Sequence, residues 1–186
     1  MGLGVACRFL VLVILLASAG AQRVFFQFDT RSGDYQLGPD GSVQYTGVPA
    51  ALGTVTVSSG TTTVNGQTIP RGMQIWTVGT TGWYDIVASG ASGADALRQT
   101  GSFFGGRGVA VRTRHYLAAG ARVVIAVGMK PTGCSSDNIY GAGGGSFVSL
   151  FAATGTFSTS GQHVLILAAG GGGSVGTSTG GADATT

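Results

Sequence analysis

The sequence has no glutamate, and Lys130 is its only lysine. Helices of soluble proteins draw heavily on both residues, so their lack weighs against helical structure. Cysteine is almost missing as well, with Cys7 and Cys134 the whole supply. Beside them stand two histidines, His115 and His163. That is too small a donor set for a metal site, and no metal or other cofactor is expected. Asn65 and Asn138 lack the following x-Ser/Thr of a glycosylation sequon. Charged residues make up only 9% of the chain, with a net charge of +3. Arg107, Arg112, Arg114 and Arg122 fall close together, but no basic-and-aromatic pattern points to nucleic acid, and they read as solvated strand faces. No apolar run reaches the ~20 residues that a membrane-spanning helix needs.

Glycine and a short apolar start are what the sequence does have. Glycine contributes 35 of 186 residues, yet the hydrophobic fraction of 44% is too high for a disordered chain. Phe9 to Leu16 is unbroken apolar sequence, preceded by Arg8 and followed by the small residues Ala19-Gly20-Ala21. This is the layout of a secretory signal peptide, expected to be cut after Ala21 so that Gln22 begins the mature chain. The protein is therefore expected to be secreted or held on the extracellular side of the plasma membrane. Cys7 leaves with the leader. Cys134 is then a candidate disulfide residue whose partner is absent from the mature chain; it pairs with another chain, stays free, or has lost its partner.

Beyond the leader, short β-rich segments alternate with glycine-rich turns. Val24 to Phe28, Thr54 to Ser58, Met73 to Val78 and Trp83 to Ser89 read as strands. Asn65-Gly66 is a hairpin signal. Gly90 to Gly106 reads as a loop, Gly108 to Thr113 as a strand and Tyr116 to Gly120 as a turn. Arg122 to Gly128 is apolar on both faces, as a central strand requires. Ser146 to Phe151 and His163 to Ala169 are the last strands. Together they predict an all-β antiparallel sandwich or barrel. Its expected core is Ile75, Trp76, Tyr84, Ile86, Val109, Val111, Val123, Ile125, Val127, Phe147, Leu165 and Leu167, with Trp83 a further anchor. The run Gly170 to Gly173 is either an extended polyglycine helix held by hydrogen-bonding neighbours or an unstructured loop.

No catalytic site emerges. Gly171-x-Gly173-x-x-Gly176 matches a dinucleotide-binding fingerprint, but Thr177-Ser178-Thr179-Gly180-Gly181 cannot continue as the helix that motif requires. Ser146 and Ser174 could be imagined with His115 or His163, but nothing in their spacing supports a triad, and no G-x-S-x-G elbow occurs.

Several pieces, in order, resemble one family. Met73-Gln74-Ile75-Trp76-Thr77-Val78 with Thr80-Thr81-Gly82-Trp83-Tyr84-Asp85-Ile86 and Ala88-Ser89-Gly90-Ala91-Ser92-Gly93 is similar to its "xxWxVPxTGxYxIxAxGAxGG" segment. Arg107-Gly108-Val109 resembles its next strand. Leu117 to Gly128 resembles its "LxxGxxLxxxVGQ" strand, with Met129 where Gln is usual. Gly143 to Val148 and Leu165 to Gly173 resemble its "GGGGSFV" and "PLLVAGGGGG" pieces. The family is the glycine-rich extracellular domain of the anaplastic lymphoma kinase and leukocyte tyrosine kinase receptors. The resemblance implies a TNF-like (jelly-roll) sandwich carrying polyglycine-II-type segments. For the animal receptors it also implies an extracellular protein ligand and an intracellular tyrosine kinase. The proline expected near Gly79 is absent, and the family's later glycine-rich stretch would lie beyond Thr186.

The expected organisation is a leader at 1–21, an N-terminal β segment at 22–72, a receptor-type glycine-rich domain at 73–176 and a disordered tail at 177–186. That domain is expected to be incomplete, with its backbone disordered from Gly170 onward and an open sheet edge that invites self-association. Two functions follow: an extracellular ligand-binding module, or a structural protein of a matrix or cell wall.

Overall fold

The structure is a computed structural model that describes residues 11–16, 24–28, 45–60, 63–64, 67–98, 101–131, 141–151, 163–173 and 182–185. Cys134 lies outside the described residues, as do Ser174 and Asn138. Among the described residues the chain is all β, without a helix. Strands β1 (Val11–Leu16), β2 (Val24–Phe28), β7 (Gly82–Ser89) and β10 (Ala110–Leu117) form one sheet in the order β10-β7-β1-β2. Strands β3 (Gly53–Val57), β6 (Gln74–Val78), β11 (Arg122–Ala126), β12 (Ser146–Phe151) and β13 (His163–Ala169) form a second, in the order β13-β12-β11-β6-β3. Two hairpins stand apart: β4 (Thr63–Val64) with β5 (Gln67–Thr68), and β8 (Ala96–Arg98) with β9 (Gly101–Phe103). Every pairing is antiparallel. Val64 pairs with Gln67 in the hairpin expected there, and Asn65-Gly66 itself lies outside the described residues.

The two sheets close on one core. Tyr84, Ile86 and Ala88 of β7 alternate inward and meet Trp76, Val78, Val123, Ile125 and Val148 of the facing sheet. The rings of Trp76 and Tyr84 meet edge-on at 5.2 Å. Their polar tips are both satisfied within the protein: the Trp76 indole N–H donates to the Leu52 carbonyl at 2.5 Å, and the Tyr84 hydroxyl donates to the Thr80 carbonyl at 2.5 Å. The Tyr45 hydroxyl likewise donates to Oε1 of the buried Gln74. A smaller cluster of Ile69, Ile75, Val124 and Phe151 covers the other side of the second sheet. Ile75 is therefore buried as expected, but in this second cluster.

Three of the expected core residues are not in the core. Trp83 is 48% exposed, Phe147 47% and Leu165 54%. Trp83 and Phe147 sit on the outward half of the strand alternation, beside the inward Tyr84 and Val148. Leu165 is displaced by a register shift between Val148 and Ser149, where Val148 pairs with Leu167 but Ser149 pairs with Leu165. The extra residue reverses the alternation, so Leu167 stays inside while Leu165 turns out. The loop expected at Gly90 to Gly106 contains the hairpin β8–β9, and Tyr116 and Leu117 belong to β10 rather than to a turn.

One end of the sandwich is built from glycine. The antiparallel order brings the ends of β7 and β13 and the starts of β10 and β12 to the same end. Segments 90–94, 105–109, 141–145, 170–173 and 182–184 continue from there and bond side by side. Gly90 N–H donates to Val109 and Gly93 N–H to Gly106, each at 2.9 Å. Ala91 and Ala94 donate to Gly144 and Gly141 at 2.9 and 3.0 Å. Gly106 and Val109 donate to Gly173 and Gly170 at 3.1 and 3.0 Å. Bonds to one neighbour thus recur at every third residue, unlike the period of two in a β ladder. The approach is too close for side chains: a Cβ on Gly90 would overlap the carbonyl of Gly170, and one on Gly171 the carbonyl of Gly143.

The expected loss of backbone order from Gly170 therefore does not hold at Gly170–Gly173. Gly172 N–H donates to the Ala91 carbonyl, and the Gly172 carbonyl accepts from Gly143 N–H, both at 2.8 Å. The end of the chain also returns. Gly173 N–H donates to Ala182 at 2.7 Å and Ala184 N–H to Arg107 at 2.8 Å, while the Asp183 carboxylate accepts from Arg107 N–H at 2.5 Å. The segments at 90–94, 105–109, 141–145 and 182–184 satisfy the run between them. The tail expected to be disordered at 177–186 thus has paired backbone at Ala182 and Ala184.

Candidate interaction surface

The outward face of β7 and β10 carries an exposed aromatic pair, Trp83 and Tyr116. Alternation places Trp83, Asp85 and Val87 of β7 on this face. Register puts Tyr116 opposite Trp83, Arg114 opposite Asp85 and Arg112 opposite Val87. Trp83 and Tyr116 meet edge-to-face at 5.4 Å, and Tyr116 is 55% exposed.

The two arginines choose diagonal partners. Arg112 reaches Asp85, with Nη2 at 2.7 Å from Oδ2, and that carboxylate is buried while the arginine remains mostly in solvent. Arg114 instead lies over the Trp83 ring, 5.6 Å from its centroid. Asp85 is thereby neutralised within the face, and Arg114 remains as a cation held on an aromatic platform. Such a group offers a ligand three contacts at once: ring faces, a phenol hydroxyl and a planar guanidinium. Arg107 and Arg122 do not join it. Arg107 belongs to the glycine segments, and Arg122 is opposite Thr77 and Phe151 in the other sheet.

The remaining residues singled out in the sequence have structural places. Ser146 Oγ donates to the Ser89 carbonyl at 2.7 Å and accepts from Gly128 N–H at 2.8 Å, so it bridges the two sheets where the glycine segments begin. His115 is paired opposite Tyr84 in one sheet and His163 opposite Phe151 in the other. The Ser146 hydroxyl is thus bonded to two backbone groups, from Ser89 and Gly128. Lys130 is bonded to Asp95 at 2.5 Å, and Gly105 N–H donates to the same carboxylate at 3.0 Å. Burial works against the Asp95 charge, but Lys130 and the Gly105 N–H outweigh it and hold the carboxyl below its ordinary range.

Among the described residues no cluster of histidine, cysteine, aspartate or glutamate could hold a metal ion, and no helix is long and apolar enough to cross a membrane. No family model matches the sequence, and no curated protein matches it either.

Proposed function

We propose that this chain is an extracellular ligand-binding module of the kind it resembles, the glycine-rich domain of anaplastic lymphoma kinase-type receptors. Its work is recognition of a protein ligand outside the cell, not catalysis. On this reading the two sheets are a TNF-like jelly roll. The glycine segments are polyglycine-II helices: the recurrence of lateral bonds at every third residue is the period of such a helix, and a helix of this type makes no internal bonds.

The observation that carries the proposal is the exposed Trp83–Tyr116 pair with Arg114 stacked on it. Aromatic residues and arginine are the side chains that supply most binding energy at protein interfaces. The face is carried by two paired strands of the sandwich, β7 and β10, with the glycine segments at one end of it.

A second reading, a building block of a matrix or cell wall, draws support from the glycine bundle, whose close lateral bonding is that of a fibre lattice. The two separate in one experiment. Labelled secreted protein is applied to cells of the source organism, beside a Trp83→Ala/Tyr116→Ala/Arg114→Ala variant, both folded by circular dichroism at the temperature used. Saturable binding that the variant loses is the expected result. Equal retention of both proteins in an insoluble matrix fraction would favour the structural reading and sink the receptor one.

A further inference from the structure

Strand β1 holds an unusual place for a segment with the sequence of a leader. It lies inside its sheet, antiparallel to both neighbours. Val11 to Leu15 pair with Phe28 to Val24, and Val11 to Leu16 pair with Ala88 to Trp83. Removing it takes out an interior strand. The sheet is then left as the β10–β7 pair, a slot one strand wide and β2. Neighbouring strands stand about 4.8 Å apart, so the slot separates β2 from β7 by roughly twice that.

The slot cannot be closed simply by β2. Both β2 and β7 run antiparallel to β1 and are therefore parallel to each other. Closure would create a parallel pair in an otherwise antiparallel sheet. It would also draw Phe28 from its ring contacts with Phe26, Tyr45 and Trp76, where it is 1% exposed. Left vacant, the slot would bare the β7 backbone and the core residues Tyr84, Ile86 and Ala88, which an open edge does not tolerate.

We infer that in the mature chain this slot receives one extended segment of a partner protein as an added antiparallel strand, apolar at every second residue. The inference rests on the secretory reading of residues 1–21. The shape of the slot selects the occupant. β2 walls its far side, so a sheet edge with its own flanking strand cannot enter, and edge-to-edge pairing with a second copy is excluded. A lone chain fits, bonding through its backbone to both walls. Residues opposite Tyr84, Ile86 and Ala88 must be apolar because they complete the core. Those opposite Trp83, Asp85 and Val87 face outward, next to the Trp83–Tyr116 platform, so one ligand segment can use both.

The test starts from the whole gene expressed through a secretory host, with the N-terminus of the secreted protein read first. The probe is a synthetic peptide of the Val11–Leu16 sequence with lysines added at its ends. A control peptide carries prolines at alternate positions, which removes backbone donors. With Gln22 as the N-terminus, the probe should slow hydrogen exchange across Trp83–Ala88 by about tenfold or more, and the control should not. If these amides are already slow in a peptide-free monomer, or stay fast with the probe, the slot is not a docking site although secretion stands. Protection that appears only in a dimer assigns the slot to a second copy and overturns the partner assignment. An N-terminus at Met1 overturns the secretory reading itself, with the slot filled by the chain's own strand. If the secreted chain is unfolded alone, the probe should restore the near-ultraviolet dichroism of packed Trp76. Failure to do so also overturns the inference.

Discussion

Gly90 rests against the carbonyl of Gly170 so closely that no side chain fits between them. The obstacle is backbone on both sides, so it cannot rotate away. Gly90→Ala should therefore destabilise by more than the ~1–3 kcal/mol of ordinary overpacking. Gly120 is the control: its φ of +80° suits glycine, but open space surrounds it. Gly120→Ala should lose only the ~1–2 kcal/mol of left-handed strain. Urea unfolding of the two variants checks the order, and equal losses would mean that the bundle does not exclude side chains.

Trp76 and Trp83 should respond unequally to truncation. Trp76 is buried between the sheets, and Trp76→Ala should cost ~3–5 kcal/mol. Trp83 is on the outer face, and Trp83→Ala should lose no more than the ~0.5–1.5 kcal/mol of its aromatic pairing. If the Trp76→Ala melt coincided with that of the parent, the assignment of the core would be wrong.

Alkaline pH should unfold the chain through Tyr84. Burial pushes its phenol above the ordinary value of 10.0. A raised pKa means that the folded state holds its proton where the unfolded state has released it. The stability is complete below 10.0 and declines as pH rises beyond it. Tyr84→Phe should flatten that decline. A spectrophotometric titration would show Tyr84 ionising together with loss of fold.

The amides of Gly143 and Gly172 should exchange slowly, because each donates across the bundle at 2.8 Å. Asp183→Ala should speed exchange at Gly173 and Ala184 by releasing the chain end from Arg107, while leaving the sandwich amides unchanged. Fast exchange at Gly172 in the parent would contradict the lateral bonding.

Much of the sandwich was legible because its signals are local. Val24–Phe28, Ser146–Phe151 and His163–Ala169 are bounded by changes in composition, and their strand limits follow. The hairpin at Asn65-Gly66 rests on turn chemistry. Leu165 was misplaced because a bulge is set by the partner strand and leaves no mark in its own alternation. Trp83 shows that strand period gives two faces but not which one is covered. The interaction surface was less legible still. Arg114 belongs to Trp83 and Arg112 to Asp85 only by diagonal reach across a register that sequence alone does not state. The glycine bundle depends on partners as distant as Arg107 and Asp183, so counting glycines could not reveal that the run at Gly170 is enclosed.

The side-chain-free packing of that bundle also shapes how stability varies with temperature. Melting the sandwich exposes apolar surface and raises heat capacity, but melting the glycine segments exposes mainly peptide groups, which lowers it by about 0.26 cal/K/mol per Å². The two contributions oppose each other. The whole chain should therefore have a smaller heat-capacity increment than the ~12–15 cal/mol/K per residue of ordinary domains, and a broad, shallow stability curve. Cold, which weakens hydrophobic burial, would then loosen the sheets before it loosens the glycine end.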